Sequence, residues 1–141
     1  MEQPPQVHPS RLVTTPAGER VDVDEGIWPL VSALWARGWT TVGSCQDMGE
    51  AIGRAGAAPP ALAELQRGRA WLKMPNAHAD AFLAAAAQDP ELAVLIRPRL
   101  DRPDHWHCYT QRGPAGLLPN AQIYLPASQI GRVVAVLRAG A

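Results

Sequence analysis

At Ile27 the hydrophobic period of this chain changes, and that change constrains the fold more than any other feature. In "ERVDVD", residues 19 to 24, Val21 and Val23 alternate with Asp22 and Asp24, the two-residue period of a strand. From Ile27, the residues Leu30, Val31, Leu34 and Trp35 follow at i+3, i+4, i+7 and i+8, which is one apolar stripe of a helix. Pro29 fits only a first helical turn, so the helix is expected to start near Gly26 or Ile27, and Gly38 can end it.

The alternation between the two periods recurs downstream. "WTTVGSC", 39 to 45, and "RAWLKM", 69 to 74, read as strands separated by a long irregular segment with a helical turn or two near "PALAELQRG". Asn76 is expected to cap a helix that buries Ala79, Phe82, Leu83 and Ala86, and "DPELAVLI" has Asp at the cap and Pro at the first turn of a short helix, with a buried strand as the rival. "HWHCYTQ" and "AQIYL" are the last strands, joined by "RGPAGLLPN", and "PASQIGRVVAVLRAG" is a closing helix with Ile130, Val133, Val134 and Leu137 on its apolar face. At the front, "RLVTT" and "ERVDVD" flank "PAG" as a hairpin, and residues 1 to 10, with Pro at 4, 5 and 9, read as a disordered tail.

The expected architecture is therefore one α+β domain over residues 11 to 141. Its core order, βαββαβ, is the ferredoxin-like pattern: an antiparallel sheet with helices on one face, extended by the N-terminal hairpin and a C-terminal strand and helix.

Composition bounds the function. The 141 residues carry 13 Lys plus Arg and 13 Asp plus Glu, so no overall field draws the molecule to phosphate backbones or anionic lipid, and nucleic acid is not an expected partner. No stretch approaches the roughly 20 apolar residues of a membrane span, and the polar start is not a secretory signal. The expectation is a soluble, cytoplasmic protein whose Cys45 and Cys108 are free thiols, since neither a CxxC spacing nor a dense cysteine framework is present.

Each strand divides into a face toward the helices and a face away from them. Placing Val21, Val23, Val42, Leu72, Met74, Trp106, Cys108, Ile123 and Leu125 inward leaves an outward set rich in aromatic and ionisable groups: Asp22, Asp24, Cys45, Trp71, Lys73, His105, His107, Tyr109, Gln122 and Tyr124. Such a face is a candidate ligand surface or homodimer interface. With strands ordered 4-1-3-2, one sheet edge would gather Asp24, Glu25, Cys45, Gln46, Asp47, Trp71 and the histidines beneath the 46 to 68 segment, the convergence a small-molecule site requires.

"HWHC", residues 105 to 108, resembles a metal clamp, but adjacent strand residues project to opposite faces, so His107 and Cys108 cannot readily share an ion. His105 and His107 share a face, and with Asp24 from the neighbouring first strand they would form a two-His, one-carboxylate set for a divalent transition metal. Cys45 is a candidate nucleophile at a strand end, with Asp24 and His107 as its acid/base partners, although the expected order separates it from the His pair by roughly 14 Å at about 4.8 Å per strand. Glu25, Gln46, Asp47, Trp71, Tyr109 and Tyr124 are the expected ligand-binding residues around it.

"VDVDEGIWPLVSALWARGWTTVGSCQD", residues 21 to 47, resembles a family of small proteins of high-GC bacteria and their phages that share "DEGI", an apolar helix ending "LW..G", and "T..SCQ". The resemblance implies a common fold and a shared role for Asp24, Glu25, Cys45 and Gln46, and carries no activity. "SCQD" is also faintly similar to the Ser-Cys motif of the wybutosine-type tRNA methyltransferases, without the Ser-Gly-Arg that follows it there. Taken together, the sequence points to a small-molecule-binding protein or small enzyme with an acid/base or thiol site, metal-assisted in one version, at one edge of the sheet. The competing reading is a non-catalytic module that uses the aromatic face for homodimer, protein or nucleic-acid contact.

Overall fold

The computed structural model describes residues 8–56, 60–97, 99 and 101–140. The hairpin forms as the sequence predicts: β1 (Ser10–Thr14) pairs antiparallel with β2 (Arg20–Asp24) across a turn in which Gly18 adopts φ 92°. The chain then enters α1 (Trp28–Ala36), β3 (Gly43–Cys45), α2 (Met48–Ala55), α3 (Pro60–Gln66) and β4 (Arg69–Pro75). It continues through α4 (Asn76–Ala86), α5 (Pro90–Ile96), β5 (His107–Gly113), β6 (Gly116–Pro126), one 3-10 turn and α6 (Ile130–Ala139).

The main sheet is four-stranded and wholly antiparallel, in the order β3-β4-β6-β5. This α+β architecture matches the expected class, but the strand order corrects the expected 4-1-3-2. β2 takes β1 as its partner and forms a separate two-stranded sheet, so Asp22 and Asp24 are not on a strand beside β5. The vacated place is filled by β6, an 11-residue strand that begins at Gly116, well before the "AQIYL" segment, and pairs with both β4 and β5. A two-residue turn, Pro114 and Ala115, makes a β5–β6 hairpin cheaper in chain entropy than a long crossover to β2.

Period-two alternation buries one sheet face. Ala70, Leu72 and Met74 of β4 and Ile123 and Leu125 of β6 are fully buried against α1, α4 and α6, whose stripes contribute Leu30, Leu34, Phe82, Val133 and Leu137. Trp106 closes this core, its ring tilted against Phe82 at 5.9 Å and its Nε1 donating to Gln129 Oε1 at 2.6 Å. Val42, expected inward, is instead 57% exposed just before the edge strand β3.

Several local expectations are met and several are changed. α1 begins with Pro in its first turn and ends at Gly38, whose φ is 81°. α5 is a helix, capped by Asp89, which accepts from the amides of Glu91 and Leu92. Asn76 opens α4 but does not cap it: its amide donates to the Leu118 carbonyl at 2.7 Å and its oxygen accepts from Thr110 Oγ1 at 3.0 Å, which ties α4 to the β5–β6 hairpin. The 46 to 68 segment carries two helices, packed so closely at Gly49 that a Cβ there would fall into the Arg67 backbone and the Ala63 carbonyl. At the front of the chain, Ser10 starts a strand and His8 is buried, so this part of the expected tail belongs to the fold. The rest of that tail lies outside the described residues.

Candidate functional site

Beyond the helix-covered face, the sheet register lays its other side chains out in rows. Cys45 pairs with Trp71, Trp71 with Tyr124, and Tyr124 with His107, so one row crosses all four strands. The next row runs Gly43, Lys73, Gln122, Tyr109. Trp71 lies across both rows, its Nε1 donating to Gln122 Oε1 at 3.0 Å and its ring pressed on Gly43, where a Cβ would come within 3.0 Å of it. Tyr109 and Tyr124 stack nearly parallel at 6.3 Å. The expected ligand-binding residues Trp71, Tyr109 and Tyr124 are thus brought together on one open face.

At the β3 end of that row, three segments are laced to one another. Asp24 Oδ2, at the end of β2, accepts from the amide of Gln46 at 3.0 Å, and Gln46 Oε1 accepts in return from the amide of Gly26 at 2.7 Å. A Cβ at Gly26 would overlap the Gln46 side chain and displace this bond. Asp47 caps α2 through Oδ1, which accepts from Glu50 N, while its Oδ2 accepts from Gly68 N at 3.1 Å and holds the start of β4. His8 then packs over this junction, its Nε2 3.3 Å from the Asp47 carbonyl and its Nδ1 3.3 Å from Glu50 Oε2.

The result is a cluster in which a His8 ring nitrogen, an Asp24 carboxylate oxygen and Cys45 Sγ all lie within 4.8 Å of one another, with His8 and Cys45 buried. Both contacts of the His8 ring are to acceptors. A neutral imidazole holds one N–H and can donate to only one of them. Cys45 is held as a thiol: burial, then the charges of Asp24 and Asp47, push its pKa up to about 12, against one opposing backbone hydrogen bond at Asp47. An unassisted Cys45 is therefore a poor nucleophile near neutrality.

The remaining site residues fall elsewhere. Glu25 is engaged by Arg11 in a bidentate pair at 2.9–3.1 Å on the exposed side of the hairpin. His107 starts β5, the strand at the far edge from β3, so it stands three strand spacings from Cys45, roughly 14 Å at about 4.8 Å each. It cannot serve Cys45 as a base. His105 precedes β5, is 9% exposed, and its Nδ1 contacts the Arg97 carbonyl at 2.8 Å. The expected metal set of His105, His107 and Asp24 is consequently not assembled, because β4 and β6 separate Asp24's edge from the histidines. Trp106 and Cys108 face the core as the strand period requires, and both cysteines are free.

His8 is the member of this cluster to which the sequence alone assigns no role. It lies among prolines with no periodic neighbours, and only the pairing of β1 with β2, which brings Pro9 against Glu25 through a 2.8 Å backbone bond, carries it to Cys45.

Comparison with family models, curated proteins and solved structures gives no match to this chain.

Proposed function

We propose that this protein binds a divalent transition metal, with zinc the best fit, at His8, Asp24 and Cys45, and that the metal serves a small-molecule site on the adjoining sheet face. The observation that carries the reading is the convergence of one nitrogen, one oxygen and one sulfur donor, from three separate segments, within 4.8 Å. A tetrahedral zinc with bonds of about 2.0–2.3 Å spaces its ligands roughly 3.5 Å apart, so the donors close in by about an ångström on binding. Three protein ligands leave a fourth position for a small molecule, the pattern of a catalytic rather than a structural zinc site.

The electrostatics support the same reading. The acidic surroundings that keep the Cys45 thiol protonated are a field that attracts a cation, and coordination would deprotonate the thiol outright. Glu50, against His8 Nδ1, is placed as the carboxylate that orients a ligating imidazole through its other nitrogen. Asp24 is held by the Gln46 amide, and Trp71 and Tyr124 supply a half-buried floor beside Cys45 on which an organic ligand can rest. When bound, the ion would supply Lewis-acid chemistry at its open position. A reducing compartment such as the cytoplasm suits the free thiols.

Equilibrium dialysis against zinc, followed by elemental analysis, tests this reading. One equivalent per chain is expected, lost in Cys45→Ser and in His8→Ala and retained in His105→Ala; stoichiometric zinc that survives Cys45→Ser and His8→Ala would refute it. A second reading, that the open face joins two copies of the chain, is favoured by Tyr109, 43% exposed although stacked on Tyr124. Sedimentation of wild type and Tyr109→Ser distinguishes the two.

A further inference from the structure

A cleft of about 390 Å³ opens between the end of α3, the start of β4, residues 101 to 103 and the first residue of β5. Its wall holds three arginines, Arg67, Arg69 and Arg102, together with His107. The two acids of the wall are already engaged: Glu64 with Arg67 at 2.7 Å and Asp101 with Arg99 at 3.7 Å. Arg102 has no ion-pair partner among the described residues.

Arg69 is the unusual member. It is 5% exposed, and its Nη1 and Nη2 donate to the carbonyls of His105 and Pro103 at 2.9 and 2.7 Å. Neutral carbonyls satisfy two of its N–H groups, and no carboxylate lies at ion-pair distance among the described residues; Asp104 acts on the charge only from farther away. A buried, unpaired charge is costly unless something compensates it. Beside it, His107 Nε2 is buried and has no hydrogen-bond partner. A buried polar atom without a partner normally implies an occupant that the fold itself does not supply.

We infer that this cleft is a second site, distinct from the His8–Asp24–Cys45 cluster, and that it binds the oxyanion group of a small molecule, a carboxylate or a phosphate. Arg69 supplies a fixed charge at the back of the cleft, Arg102 an exposed guanidinium at the rim, and His107 Nε2 a hydrogen bond at the floor. Planar guanidinium groups match both oxyanions bidentately. The site requires no metal, and it accounts for His107, which the sequence marks as chemical and which the Cys45 cluster cannot reach.

The test is a titration of the folded, metal-free protein, with chelator present, with inorganic phosphate and separately with acetate. The imidazole resonances of the four histidines are followed by NMR at constant ionic strength. A saturable shift confined to His107 is expected, and the oxyanion that saturates at lower concentration identifies the ligand class. Because Arg69→Gln removes the clasp on residues 103 to 105 and can unfold them, Arg102→Gln is the decisive variant: it is expected to weaken binding by roughly tenfold or more, the worth of a charge-assisted contact. No saturable His107 shift with either anion, an equal shift with chloride, or unchanged affinity in Arg102→Gln would overturn the inference. Repeating the titration on protein that fails to bind zinc separates this outcome from that of the metal reading.

Discussion

The carboxylate of Asp24 accepts the backbone amide of Gln46 at 3.0 Å, and this one bond fixes the end of the hairpin against the strand end that carries Cys45. Asp24 also bears on the thiol: burial is the main cause that holds Cys45 protonated, and the Asp24 charge adds to it.

Cys45 should therefore resist alkylation in metal-free protein. With its pKa at about 12, thiolate is scarce at pH 8, and the rate with iodoacetamide is expected to be far below that of a free cysteine. Asp24→Asn removes the charge but leaves the burial, so the rate should rise without reaching the unfolded value. Mass-resolved alkylation of the Cys45 peptide across pH 7 to 10 measures both. A Cys45 as reactive as free thiol in the wild type contradicts the electrostatic account.

Alkaline stability follows from the same groups. Cys45 and Cys108, each at about 12 against an ordinary 9.0, and Tyr124, at about 12 against 10.0, stay protonated when folded while their unfolded counterparts ionise. Unfolding then releases protons, so stability is full below about pH 9 and is lost progressively as pH rises toward 12. Cys108→Ala should flatten this decline in urea melts. An identical slope in the variant would show that Cys108 is not held protonated.

On the acid side the responsible group is His107. Burial first, then the Arg69 charge, lowers its pKa below the ordinary 6.5. The unfolded chain takes up the proton before the folded one does, so stability should fall as pH drops through about 6.5 toward the folded pKa. His107→Gln should remove that part of the pH dependence. Its persistence in the variant assigns it to other groups.

Gly49→Ala should be among the most damaging of conservative changes. The added Cβ meets backbone on both sides, Arg67 and the Ala63 carbonyl, and neither can rotate away. Overpacking of this kind costs about 1–3 kcal/mol, or more where backbone must move. Because Asp47 caps α2 and its carbonyl contacts His8, the displacement should also weaken zinc binding. Urea denaturation and dialysis of the variant read the two effects, and Gly53→Ala, whose Cβ would make ordinary contact with Ala63, is the control.

What the sequence reveals about this fold follows from where its information is local. Strand and helix periods around Val21, Ile27, Leu72 and Val133 are set by nearest neighbours, and those elements and their buried faces were readable. The open-face partition of Cys45, Trp71, Tyr109, Tyr124 and His107 followed from strand period alone. Strand order did not: the "PAG" turn marks the pairing of "RLVT" with "VDVD", but nothing in "VDVD" states whether its other edge also pairs with "HCYT"; the short Pro114–Ala115 turn and the length of β6 decide that in three dimensions. That one uncertainty moved Asp24 away from the histidines. His8 was hidden for the same reason, since a residue before the first strand carries no periodic signal.

The measurement that bears most directly on the metal site is the electronic spectrum of the cobalt-substituted protein. Cobalt at His8, Asp24 and Cys45 should give an intense near-ultraviolet thiolate-to-metal charge-transfer band together with the strong visible absorption of a tetrahedral ion. Cys45→Ser should abolish the charge-transfer band, and Cys108→Ala should leave it intact. A weak, octahedral-type spectrum without that band in the wild type would contradict the account.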